Sequence, residues 1–260
     1  MSKKTIITII IVVVILIAIS AGLVLYSSRV QNSQNSMPEQ TSNINAISNK
    51  TPNLPTGSSE NKAMQVEDVN NSNQVKNSYN NYVGQDYTNL RYVEQDGISE
   101  PYTPADKNVN LVPLDSFLSS IGANINSKVK SIAGKNYYGL FYCINEKKQK
   151  EYGLALDLSD KDPTKAKENF DSAGDAMVTW EPYILKDMHN ILFPSNGSDK
   201  LDINQTLTFK DGKYRYAEIN LPDGKSSINY KVIGSPLNMI IITTSQNCLD
   251  KAVGLFSALD

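Results

Sequence analysis

One histidine, one tryptophan and two cysteines are all that 260 residues contain, and each scarcity removes a class of chemistry. A lone imidazole, His189, cannot build a His-rich zinc site and could serve at most one catalytic triad. Cys143 and Cys248 lack the CxxC spacing used by metal and redox motifs. A glycine-rich loop of the kind that cradles phosphates is missing, which argues against nucleotide binding. The formal net charge of -2 comes without a block of basic residues, so nucleic acid is not an expected partner. No cofactor is implied by any motif. Long apolar runs are scarce too, with one exception at the start of the chain.

That exception is "TIITIIIVVVILIAISAGLVLY", Thr5 to Tyr26, which holds no charge. At about 1.5 Å rise per residue the run spans the ~30 Å hydrocarbon core of a bilayer. Ile and Val suit a soluble helix poorly, yet in lipid every backbone group must bond within the segment, and a helix results. Lys3 and Lys4 precede the run and Arg29 alone follows closely, so the positive-inside bias puts residues 1–4 in the cytoplasm and the body outside the cell membrane. Ala18 and Ser20 offer small residues for signal cleavage, but the apolar run continues through Leu23, Val24 and Leu25 and favours an uncleaved signal-anchor. No cysteine follows for a lipid anchor, and no early glutamate marks a pilin.

Residues 27–108 are rich in Asn, Ser and Gln, with few large apolar side chains to offset the entropy of ordering. They read as a disordered linker whose mean reach would be roughly 50 Å. Within it "YVGQD" at Tyr82–Asp86 echoes as "YVEQDG" at Tyr92–Gly97, which could form a short hairpin or recognition segment, although a chance echo in a low-complexity stretch is the simpler reading. "EPYTPAD" reads as an extended lead-in to a folded domain at 109–260.

Periodicity divides that domain. Leu114, Phe117, Leu118, Ile121, Ile125, Val129 and Ile132 recur at helical steps and predict a helix over 114–133, weakened at Gly122. "YYGLFYCINEKKQKEYGLALDL" predicts two strands about a charged turn, with Tyr138, Leu140, Tyr142 and Ile144 on one side and Phe141 and Cys143 on the other. Because both sides are apolar, the first of these strands is expected to be central. Asp162-Pro163 starts a helix, and Pro182 either kinks it or divides it into two consecutive helices. "TLTFKDGKYRYAEINL" suggests a hairpin about Asp211-Gly212, although more than one register fits. "SSINYKVIG" and "NMIIITTS" supply two further strands and "QNCLDKAVGLFSAL" a closing helix. The order α-β-β-α-β-β-β-α implies an α+β domain: an antiparallel or mixed sheet of about five strands with helices packed on it.

Chemistry is harder to find. "MVTWEPYILKDMHNILF" gathers Trp180, Glu181, Asp187 and His189, and the last three are the candidates for an undefined site. On a helix Asp187 points away from His189 and Glu181 lies two turns back, so a surface or capping histidine is the simpler reading. Ser127–Lys130 fits S-x-x-K and Ser227–Asn229 fits S-x-N, but the third motif of that enzyme class, K-T-G, is missing. Asp157, Asp160 and Asp162 imitate a calcium loop until Lys161 takes a ligand position and Asp162 the glycine position. Cys143 and Cys248 could form a disulfide in an external domain or stay buried as thiols.

"WEPYILKDMHNILF" followed by "FKDGKYRYAEINL", "SINYKV" and "IIITTS" resembles a group of bacterial membrane-anchored proteins without an assigned activity. They pair a Trp-Glu helix carrying a later Asp with a Phe-x-Asp-Gly-x-Tyr turn and an Ile-Ile-x-Thr-Thr/Ser strand. The resemblance runs from Tyr137 to Leu259, implies this topology and anchoring, and supplies no catalytic residue. Anchor, tether and the lack of a complete catalytic set together indicate a membrane-anchored interaction module, more readily than an enzyme, facing an envelope protein or small ligand. The alternative is a small extracytoplasmic hydrolase with a site assembled from distant segments.

Overall fold

In the computed structural model the described residues are 65–84, 97–99, 101–108, 110–135, 137–194, 201–222 and 224–258. All belong to one unit, Asn49–Asp260. The fold is α+β, built on five strands: β1 (Tyr138–Ile144), β2 (Lys150–Asp157), β3 (Arg215–Leu221), β4 (Gly224–Ile233) and β5 (Met239–Thr243). Their order across the sheet is β1-β2-β5-β4-β3, and every neighbouring pair is antiparallel. The Met-Ile-Ile-Ile-Thr run of β5 lies in the middle of the sheet, where both faces are buried, and needs no polar alternation.

Helices α1 (Ser72–Gly84), α2 (Leu114–Ile121), α3 (Ser127–Ile132), α4 (Pro163–Trp180) and α5 (Ile184–Leu192) contribute side chains to the core on one face. Helix α6 (Gln246–Ala258) packs on the other. The alternation of β1 holds as read: Tyr138, Leu140 and Tyr142 join the larger core, while Phe141 and Cys143 face α6. Asp162 caps α4 by accepting from the Thr164 amide, with Pro163 at the first helical position, and Pro182 separates α4 from α5. Trp180 is fully buried at that break.

Four expectations change. The helix over 114–133 is two helices: Gly122 takes a left-handed conformation at φ 69° and ends α2, and Asn126 then caps α3 through the Lys128 amide. The linker reading fails for the segment 65–84. Its three spaced anchors, Val75, Tyr79 and Tyr82, lie at one helix face and are buried in the main core, where Tyr82 stacks on Tyr102 with centroids 4.7 Å apart. The first tyrosine of the repeated pentapeptide is thus a core residue, and the second copy lies almost wholly outside the described residues. Strand β1 is the end strand, not a central one. Its outer edge is covered by the segment around Gly97–Ala105, where Ser99 and Tyr102 amides bond the Tyr142 and Leu140 carbonyls and Gly97 accepts from Ile144. Burial of both its faces reflects the two cores, which does not require two sheet neighbours. At the opposite edge the expected hairpin about Asp211-Gly212 shrinks to one bridge, Lys210 with Tyr216, and the hairpin proper joins β3 to β4 through two residues after Leu221.

Both sheet edges are therefore occupied by the protein's own chain. Beyond the Lys210–Tyr216 bridge, Gln205 bonds both the amide and the carbonyl of Asn220 on β3. Such cover shortens the free ladder that another chain could extend. Among the described residues no helix is long and apolar enough to cross a membrane, and the predicted span at 5–26 lies outside them.

Candidate functional site

The three residues singled out in "MVTWEPYILKDMHNILF" do not converge. Glu181, 8% exposed, caps the end of α4 and turns toward the sheet. There its carboxylate accepts from Arg215 Nε at 2.7 Å, Arg215 Nη2 at 3.1 Å and the Tyr230 hydroxyl at 2.7 Å. Arg215 also donates to Asp211 at 2.8 Å. The Glu181 bond, then the Asp211 bond, hold the guanidinium above its ordinary value. Burial, reinforced by Glu181, pushes the Tyr230 hydroxyl upward. A fork-to-fork pair of this kind is strong and directional, and both carboxylate oxygens are engaged by the protein itself. The arrangement ties the α4–α5 break to β3 and β4; it offers no group free to act on a substrate.

Asp187 accepts the indole N–H of Trp180 at 2.8 Å, which satisfies the only polar atom of the buried ring. His189 is partly exposed, and its Nδ1 bonds the Lys186 carbonyl one turn back at 2.8 Å. Glu181–Arg215 could not have been read in advance, because 34 positions separate the partners. Cys143 and Cys248 are joined by a disulfide between β1 and α6, with Cα atoms 5.5 Å apart. Both are fully buried in the smaller core, beside Phe141 and Phe256.

The serine motifs are held apart by the sheet. Val129 packs α3, with Ser127 and Lys130, on the larger core. Ser227 and Asn229 alternate with Ile228 and Tyr230, which face that core, and so lie on the opposite side. Lys130 pairs with Asp115 at 2.9 Å, and Asn229 donates to Ser227 at 2.7 Å. Asp157 accepts from Ser159, and Asp162 is a helix cap. Among the described residues no three potential ligand side chains stand together as a metal site.

Described residues form two concave places on the surface. One, of about 460 Å³, lies between the α2–α3 connection and the start of α5. Of its charged groups Lys130, Lys186 and Asp187, the first and last already serve Asp115 and Trp180. The other, of about 470 Å³, opens at the end of the sheet between the β1–β2 turn, the start of β4 and the ends of α1 and α5. Lys147, Lys150, Lys225, Glu151, Ser226 and Thr244 form its polar side. Tyr152, also in its wall, continues inward to Tyr142, whose hydroxyl burial pushes up to about 12. Residue spacing gave no notice of this cleft, since its lysines come from two hairpins far apart in sequence.

Comparison of the chain with protein families, curated proteins and solved structures gives no match, so the resemblance read from the Trp180–Glu181 helix rests on its short motifs alone.

Proposed function

We propose that the chain is a single-pass membrane-anchored module whose α+β domain stands outside the cytoplasm and meets an envelope protein or a small ligand. The observation that carries this reading is the buried Cys143–Cys248 disulfide, because such bonds form and persist in oxidising compartments. The uncharged run from Thr5 to Tyr26 supports the anchor, and the lysines before it support the orientation. The engagement of Glu181, Asp187 and Lys130 by neighbouring side chains favours binding over catalysis.

Two measurements on cells expressing the full chain test it. After acid quenching and alkylation, mass spectrometry should find both cysteines unmodified until reductant is added. Protease added to intact spheroplasts should remove the domain while the chain stays in the carbonate-resistant membrane fraction. Free thiols at quenching, or a domain digested only after lysis, would overturn the reading.

A further inference from the structure

The cleft at the end of the sheet has two walls of opposite character. The half-buried Val83 and Leu221 make one side apolar, backed by Leu192 and Phe193 of the buried core. The other brings three lysines against a single carboxylate, Glu151. The three ammonium groups differ in availability. Lys150 donates to the Val83 carbonyl at 2.9 Å and lies 4.8 Å from the centroid of the Tyr142 ring, so it is built into the wall. In doing so it offsets the negative carbonyl end of α1, which would otherwise repel an anion. Lys147 has no ion pair among the described residues, and Lys225 reaches Glu218 only at 4.0 Å. Glu151 is engaged by Asn145 at 3.3 Å and by Ser245. The Tyr142 hydroxyl, next to Lys150 and Tyr152, is buried with no hydrogen-bond partner among the described residues.

We propose that this cleft binds a small amphipathic anion. A phosphate or carboxylate head sits between Lys147 and Lys225 in the field of Lys150, and a short apolar body lies on the Val83–Leu221 wall. The volume of about 470 Å³ suits a ligand of that size. A bare inorganic anion would leave the apolar wall wet, and a neutral apolar molecule would leave the lysines without a counter-charge. This assignment rests on the chain being a binding module and names the ligand class for it. Its test is made on purified protein, so it can fail while the cellular location stands, and the reverse.

The full chain in neutral phosphatidylcholine nanodiscs is titrated calorimetrically with hexyl phosphate, inorganic phosphate and hexanol, with empty discs as blanks. Hexyl phosphate should bind saturably, inorganic phosphate about tenfold more weakly and hexanol not at all; Lys147→Gln with Lys225→Gln should weaken hexyl phosphate about tenfold, with the melting temperature unchanged. No saturable binding, equal affinity in the double variant, or hexanol binding as tightly as hexyl phosphate would overturn the proposal. A final arm separates a free anion from a lipid headgroup. Binding of the chain to phosphatidylglycerol vesicles that hexyl phosphate displaces supports the cleft. Vesicle binding that depends on both lysines and is not displaced assigns them to a membrane surface and overturns it.

Discussion

The two faces of the sheet are stabilised by different means. On one, five helices and a ladder of aromatic rings, from Tyr138 through Phe117 to Tyr79 and from Tyr102 through Tyr82 to Tyr142, build a broad core. Its buried carboxylate, Glu181, is satisfied by three donated bonds. On the other, a single helix packs on β1, β2, β5 and the later part of β4, while β3 and the start of β4 present Glu218, Asn220, Lys225 and Ser227 alternating with the core residues. A small apolar contact is there reinforced covalently by Cys143–Cys248 and at the rim by Asp250, which accepts from Lys213 at 2.6 Å and from the Tyr214 hydroxyl. The contrast teaches that burial alone suffices where many elements share a core, and that cross-links take over where one helix must be held.

That contrast can be broken at several points. Replacing Cys143 and Cys248 together by Ser should lower unfolding free energy by about 4 kcal/mol, since the bond closes a loop of 105 residues. Denaturant titration of the double variant checks this; a loss under about 1 kcal/mol would show that α6 stays docked by packing alone. Glu181→Gln leaves Arg215 and Tyr230 facing a neutral amide, and a loss of about 2 kcal/mol is expected by the same method. Adding Arg215→Met should recover part of it, because the half-buried charge is then gone and the carboxylate it leaves behind, Asp211, is exposed to water. Gly122→Ala forces a left-handed turn on a side chain and should cost about 1 kcal/mol, read as a lower melting temperature with unchanged far-ultraviolet dichroism. A smaller effect concerns acid. The bonds from Lys213 and Tyr214 hold the Asp250 carboxyl below its ordinary value, against the opposing effect of burial. A depressed folded-state value means stability present above the unfolded value and lost as pH falls through the folded one. Asp250→Asn should flatten that acid limb and leave neutral stability of the larger core intact; unchanged pH dependence would remove Asp250 from the account.

Local periodicity was enough for the elements that obey it. The Asp162-Pro163 start, the alternation of Tyr138–Ile144 and the apolar run of β5 were all legible, because each is a short-range pattern set by helix or strand geometry. Helix α1 was not, since Asn and Ser between Val75, Tyr79 and Tyr82 pull the average composition toward disorder while the anchors keep helical spacing. The place of β1 at the sheet's end was equally hidden: apolar faces report what lies above and below a strand, never what lies beside it. The site candidates were legible only as a concentration of side chains. That Glu181 meets Arg215, and that Lys147, Lys150 and Lys225 share one cleft, follows from pairings across the fold.

The inclusion of residues 65–84 has a mechanical consequence. Val66 forms a parallel bridge with Asp106, its amide bonding the Ala105 carbonyl, and Lys150 fastens the far end of α1 to the β1–β2 turn. Tension arriving from the residues before Val66 would thus enter at a short parallel bridge and reach the sheet through α1, while α6 stays locked to β1 by its disulfide. The first event under load would be the peeling of α1, exposing Tyr79 and Tyr82 before any strand parts.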